Sequence, residues 1–136
     1  TLFYNDANQH VAKMVETRIA NTNSPWLAGV QVGDIHAIPV SHGEGKFVVT
    51  AEEFADLRDN GQIFSQYVDF NGKPSMDSKY NPNGSIHAIE GITSKNGQII
   101  GKMGHSERYE EGLFQNIPGN KDQHLFASAV KYFTGK

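Results

Sequence analysis

Apolar and polar residues alternate over short distances through most of this chain, and that alternation sets the elements it predicts. From Val11 to Ile19 the positions Val11, Lys13, Val15, Thr17 and Ile19 share one face of an extended segment, because successive side chains of a strand project to opposite sides. Ile35 to Val40, Lys46 to Thr50 and Ile63 to Phe70 are short, rich in β-branched or aromatic residues, and bounded by turn-forming residues. They predict three more strands. Ile86 to Thr93 and Gln98 to Met103, joined across Ser94-Lys95-Asn96-Gly97, predict a hairpin. Four Asn-Gly pairs punctuate these runs: Asn60-Gly61, Asn71-Gly72, Asn83-Gly84 and Asn96-Gly97. Both residue types accept positive φ, so each pair predicts a tight turn.

The period changes to that of a helix in two places. Thr50-Ala51-Glu52-Glu53 has the spacing of a capping box, with Phe54 and Leu57 on one face and Asn60-Gly61 as a stop. Between Lys121 and Thr134, the residues Leu125, Phe126, Ala129, Val130 and Phe133 form an apolar stripe, and Gly135 follows as a stop. No internal repeat, low-complexity tract or linker interrupts the pattern. It predicts one mixed α/β unit, or part of one.

Composition narrows the function more than the fold. The chain has 136 residues, with 12 Lys and Arg against 15 Asp and Glu, a net charge of −3. Domains that bind nucleic acid generally are strongly basic, so no nucleic-acid partner is expected. No apolar run approaches the twenty residues of a membrane span, and no basic-then-apolar segment opens the sequence. No membrane partner is expected, and the expected location is the cytoplasm. Cysteine is absent. Disulfides, zinc–thiolate sites, iron–sulfur clusters and a cysteine nucleophile are therefore excluded within these residues.

Six histidines carry the candidate chemistry: His10, His36, His42, His87, His105 and His124. Four are expected to be surface or satisfied core residues. His42 and His105 differ, because a glutamate follows each two positions later, at Glu44 and Glu107. On extended backbone an i, i+2 pair lies on one side. A carboxylate there can accept from the imidazole Nδ1–H, fix the tautomer and stabilise the imidazolium, as in a nucleophile–base–orienter triad. His105 also follows a predicted strand end, where the sites of open α/β sheets gather. A rival reading makes His42, Glu44, His105 and Glu107 metal ligands for a hydrolase. Asn83-Gly84-Ser85 fits a glycosylation acceptor by chance.

Three runs in order carry a resemblance: Val40-Ser41-His42-Gly43-Glu44-Gly45-Lys46-Phe47, Tyr80-Asn81-Pro82-Asn83-Gly84-Ser85, and Gly101-Lys102-Met103-Gly104-His105-Ser106-Glu107-Arg108. Together they resemble the C-terminal part of the class I glutamine amidotransferase domain of the phosphoribosylformylglycinamidine synthase family. Ser24-Pro25-Trp26-Leu27 and Gly33-Asp34 look like its large single-chain form. The resemblance spans essentially the whole chain. It implies the later, mixed or antiparallel strands and two helices of a three-layer, flavodoxin-like α/β fold.

The family forms formylglycinamidine ribonucleotide for purine synthesis, using ATP and ammonia cut from glutamine through a cysteine thioester. The resemblance therefore implies His105 as general base and acid, Glu107 as its orienter, and His42, Gly43 and Glu44 as contacts to L-glutamine. It implies no metal and no cofactor in this chain, with ATP and magnesium in a synthetase domain. The Tyr80 to Ser85 loop is a structural turn, a substrate contact or an interface with that domain.

Two departures matter. The family's Gly-x-Cys-Asn-Gly elbow is absent, which implies a segment starting after the nucleophile-bearing half and inactive by itself. The remaining polypeptide is then its expected partner, and edges left open invite self-association. Secondly, Gly104 and Ser106 occupy positions where the family commonly has proline, which implies a change of local backbone freedom. An interaction or regulatory module on the same fold is the alternative.

Overall fold

A computed structural model describes residues 1–135. Seven strands and two helices follow one another as β1 (Leu2–Phe3), β2 (Val11–Ile19), β3 (Ile35–His42), β4 (Lys46–Phe47), α1 (Ala51–Asp59), β5 (Ile63–Tyr67), β6 (Ile89–Thr93), β7 (Ile100–Lys102) and α2 (Leu125–Thr134). Five strands form one sheet in the order β3-β2-β5-β6-β7. Every neighbouring pair in it is antiparallel. β1 and β4 form a separate two-stranded ribbon.

The long β2 anchors the sheet, and its alternation explains why. Val15, Thr17 and Ile19 are buried while the residues between them are partly exposed. Val15 pairs with Ile38 of β3 and Ile19 with Ser65 of β5. One core cluster gathers Val15, Ile38, Val40, Tyr67, Ala88 and Met103. A second joins Ile19, Leu27, Val30, Phe64 and Leu125, with Trp26 and Ile100 against it. Burying each such side chain stabilises the fold by roughly 1.5–3 kcal/mol.

β3 and β7 stand at opposite edges of the sheet order, yet the segments around them touch. The His105 N–H donates to the Pro39 carbonyl at 2.8 Å. The sheet therefore curls until its two edges meet, just where His42 and His105 leave it. That curl, more than any single element, builds the site.

Most predicted elements are present. The hairpin β6–β7 closes over Ser94 to Gly97, and the glycine of each Asn-Gly pair has positive φ, from 63° to 79°. α1 has both capping-box bonds, Glu53 N–H to Thr50 Oγ1 at 3.2 Å and Thr50 N–H to Glu53 Oε2 at 2.8 Å.

Four boundaries differ by more than two residues. Ile86–Ala88 is a short 3-10 turn rather than the start of a strand, with His87 at φ 53°. The strand expected from Lys46 to Thr50 stops at Phe47, because Thr50 is needed as the cap of α1. β5 ends at Tyr67, after which Asp69 accepts from Asn71 and Lys73 to turn the chain. α2 starts at Leu125, and its stripe is only half used: Leu125, Ser128 and Ala129 are buried, whereas Phe126, Val130 and Phe133 are exposed. Among the described residues no helix is long and apolar enough to cross a membrane.

Candidate active site

His42 is the last residue of β3, and His105 lies three residues beyond β7. The curl of the sheet stacks their rings with centroids 4.8 Å apart and planes 11° from parallel. His42 Nε2 donates to the Met103 carbonyl at 2.5 Å, so the two segments are tied by backbone and side chain alike. Both imidazoles line a cleft of about 360 Å³, together with Trp26, Lys102, Glu107 and Phe126.

Glu107 Oε1 accepts from His105 Nδ1 at 2.7 Å. The pair forms as expected but by another route: Ser106–Arg108 is a 3-10 turn, not extended backbone. A carboxylate only accepts, so Nδ1 carries the proton and Nε2 keeps its lone pair. That Nε2 is buried and has no partner. Desolvation raises the Glu107 carboxyl, but the bond from His105, its own backbone N–H and the charges of His105 and Arg108 outweigh it. The net effect holds the acid below its ordinary value.

His42 is pushed towards its neutral form. Burial is the main cause of its lowered pKa, and the positive charges of His105, Arg108 and His10 add to it, against the bond to the Met103 carbonyl. A neutral His42 stacked on His105 leaves His105 free to take up a proton without meeting a second cation.

Gly43 and Glu44 follow His42 on a turn and do not line the cleft. Glu44 is exposed and makes no hydrogen bond or ion pair among the described residues, so the second His-x-Glu does not form a pair. Nor do any three His, Asp or Glu side chains among the described residues converge as a metal site. The metal-ligand reading therefore lacks its geometry. Three of the other histidines are as expected: His10 bonds to Ser41 at 3.0 Å, His87 stacks on Phe54 at 3.7 Å and His124 pairs with Asp122 at 3.0 Å, whereas His36 is in the core with its Nδ1 unpartnered.

The sequence reading missed the supports of the His42 turn. Asn5 Nδ2 donates to the His42 carbonyl at 2.6 Å, and Asn5 Oδ1 accepts from the Gly45 N–H at 2.8 Å. From the other side Ser85 Oγ donates to the Gly45 carbonyl at 3.2 Å and accepts from the Phe47 N–H at 3.1 Å. Asn81 in turn holds the Ser85 backbone through both ends of its amide. Asn81, Asn83 and Ser85 are fully buried. The Tyr80 to Ser85 loop thus braces the turn, and Asn83 is not accessible as a glycosylation acceptor. Gly45 is required there, since a Cβ would lie 2.3 Å from the Asn83 amide.

A histidine hydrogen-bonded to a glutamate where the edges of a curled antiparallel sheet meet invites comparison with known proteins. The family model described as CobB/CobQ-like glutamine amidotransferase domain matches residues 1–133. This chain belongs to that family. Among curated proteins, phosphoribosylformylglycinamidine synthase subunit PurQ of Thermomicrobium roseum is 38% identical over 107 residues, which cover 79% of this chain and 44% of that protein. The same subunit of Aquifex aeolicus is 35% identical over 109 residues, covering 80% of this chain and 47% of that protein. The chain thus spans about half the length of the curated relatives it matches. The solved structure of PurLQS from Thermotoga maritima shares the fold, with a TM-score of 0.70 over 98% of this chain and 52% of that one, at 24% identity. The amidotransferase membership expected from the His42 and His105 runs is thereby shown, and so is the α/β fold class.

Proposed function

We propose that this chain carries the base and its orienter for a glutaminase site whose cysteine comes from outside these 136 residues. The observation that carries the reading is the His105–Glu107 bond of 2.7 Å beside an unpartnered, buried His105 Nε2 in a cleft. A free thiol has a pKa near ~8.5, so at neutral pH it is mostly protonated and needs a base. His105 Nε2 takes the thiol proton, and the thiolate attacks the side-chain carboxamide carbon of glutamine. The C–N bond then breaks, and ammonia leaves with the proton that His105 returns. Water, deprotonated by the same Nε2, hydrolyses the thioester and releases glutamate.

His42 flanks this chemistry as a neutral imidazole in the cleft wall. Gly43 and the exposed Glu44 carboxylate follow it on a turn outside the cleft lining, and their contact with the α-carboxylate and α-ammonium groups of glutamine requires a substrate that extends beyond the cleft. The names of the relatives extend the reading. Ammonia passes to a synthetase site, where ATP and magnesium drive its transfer to formylglycinamide ribonucleotide. That site lies in the rest of the same polypeptide, in the single-chain form, or in a partner subunit.

The test is ammonia release. The 136-residue chain alone is expected to release none from glutamine at any concentration. A polypeptide or complex that joins it to a cysteine-bearing segment is expected to release ammonia in proportion to the chain supplied. Release by the pure chain, abolished by His105→Ala, contradicts the reading.

A further inference from the structure

A buried ionic network lies directly beneath His105 and takes no part in the chemistry above. The Glu90 carboxylate on β6 is fully buried, and Lys102 at the end of β7 is 10% exposed. The Lys102 ammonium has three donors, and all three are used: Glu90 Oε1 at 3.1 Å, the Gly104 carbonyl at 2.8 Å and Ser106 Oγ at 2.9 Å. Glu90 is equally saturated. Its Oε1 also accepts from the Gly104 N–H at 2.7 Å, and its Oε2 accepts from the Ser65 hydroxyl. Ser106 passes its own proton to Gln123 Oε1 at 2.5 Å, just before α2.

Burying two charges is costly, and an apolar pair of the same volume is often at least as stable. Such a pair earns its place through geometry. Here its contacts converge on the residues either side of His105: both backbone polar groups of Gly104 and the side chain of Ser106. The third hold, His105 N–H to Pro39, ties the same turn to the opposite edge of the sheet. Gly104 is part of the device. Its N–H is spent on Glu90, and a Cβ there would lie 2.1 Å from Ile38 Cδ1. A proline at that position would lose the bond and collide with Ile38. The change of local backbone freedom expected from Gly104 and Ser106 therefore takes the form of a polar clamp.

We propose that the buried Lys102–Glu90 pair, continued through Ser106 to Gln123, is the positioning device that sets the His105 imidazole against Glu107. Lys102 does not itself reach substrate, because none of its donors is free. The proposal rests on the reading of His105 as base, since a base displaced by about 1 Å loses on the order of 10²-fold in rate.

Imidazole nitrogen NMR on the full 136-residue chain tests it, together with hydrogen exchange at the Gly104 amide. In the wild type His105 is expected in the Nδ1–H tautomer, and the Gly104 amide is protected. Ser106→Ala, which cuts the link to Gln123 with little change in volume, is expected to shift His105 to a tautomer mixture. By loosening the Lys102–Glu90 pair that holds the Gly104 amide, it should also speed Gly104 exchange by about tenfold, which corresponds to ~1.4 kcal/mol. Ser106→Thr, which keeps the hydroxyl, restores both. Lys102→Met with Glu90→Leu removes both charges, and should still melt cooperatively while losing the single tautomer. His10 and His124 serve as controls that do not move.

Unchanged His105 signals and Gly104 exchange in both Ser106→Ala and the double variant overturn the positioning role while leaving the base reading intact. A wild-type His105 without a dominant Nδ1–H tautomer overturns the base reading, and the positioning role with it.

Discussion

In the assembled glutaminase, replacing His105 with alanine is expected to cut glutamine-dependent turnover by ~10²–10⁴-fold, the range of general acid–base catalysis. Turnover supported by added ammonium salt should stay largely intact. The asymmetry follows from what the imidazole does. It moves the protons of thiol, ammonia and water, and free ammonia needs none of those steps. Glu107→Gln should give a smaller loss with glutamine, because the amide still occupies the site but no longer stabilises the imidazolium. Desolvation raises the Glu107 carboxyl, but the His105 bond outweighs it and holds the acid below its ordinary value, so the wild-type orienter is a carboxylate at neutral pH. Steady-state rates with each nitrogen source read the result. Equal losses on both sources would make His105 a structural residue.

The second large effect concerns stability. Lys102→Met leaves the Glu90 carboxylate fully buried and without its cation, and is expected to destabilise the fold by ~3–5 kcal/mol. Adding Glu90→Leu should return most of that loss, since no charge is then left in the interior. Urea unfolding of the single and double variants measures both. A single variant as stable as the wild type would mean that water or another group compensates Glu90. The cost belongs to the unpaired carboxylate, not to the pair.

Much of this architecture was legible along the chain because its signals are local. Thr50 and Glu53 declare a helix start by themselves, and each Asn-Gly pair delivers a turn without help from distant residues. The Val11 to Ile19 alternation was legible for the same reason: one face of a long strand is buried over its second half, at Val15, Thr17 and Ile19. The misread elements depend on partners far away. Phe126, Val130 and Phe133 satisfy a helical stripe, yet which of its residues are covered depends on what packs there, and only Leu125, Ser128 and Ala129 are buried.

The site divides along the same line. His105 and Glu107 were visible as a pair two residues apart, although the backbone that joins them was expected to be extended and is a 3-10 turn. His42 and Glu44 have the same spacing and do not pair, because His42 is drawn to the Met103 carbonyl across the closed sheet. Asn5, Glu90 and Gln123 carried no signal at all, and Ser85 was visible only as the end of a loop whose role was left open. Each acts on a backbone group or side chain 14 to 40 residues away or on a hydroxyl 17 residues away. Spacing rules reach one turn of helix or one pair of strands, and the curl that joins β3 to β7 lies beyond them.

The most direct test of the central claim is the reactivity of the cysteine that this chain is argued to activate. In the assembled protein, the rate of alkylation of that cysteine by a neutral reagent should be followed against pH. The thiolate is the reacting species, so the midpoint of the profile reports its pKa. With His105 present the midpoint is expected well below ~8.5, the value of a free thiol, and His105→Ala should return it towards that value. A midpoint that stays near the free-thiol value in the wild type, or one that does not move when His105 is removed, would contradict the assignment of His105 as the base.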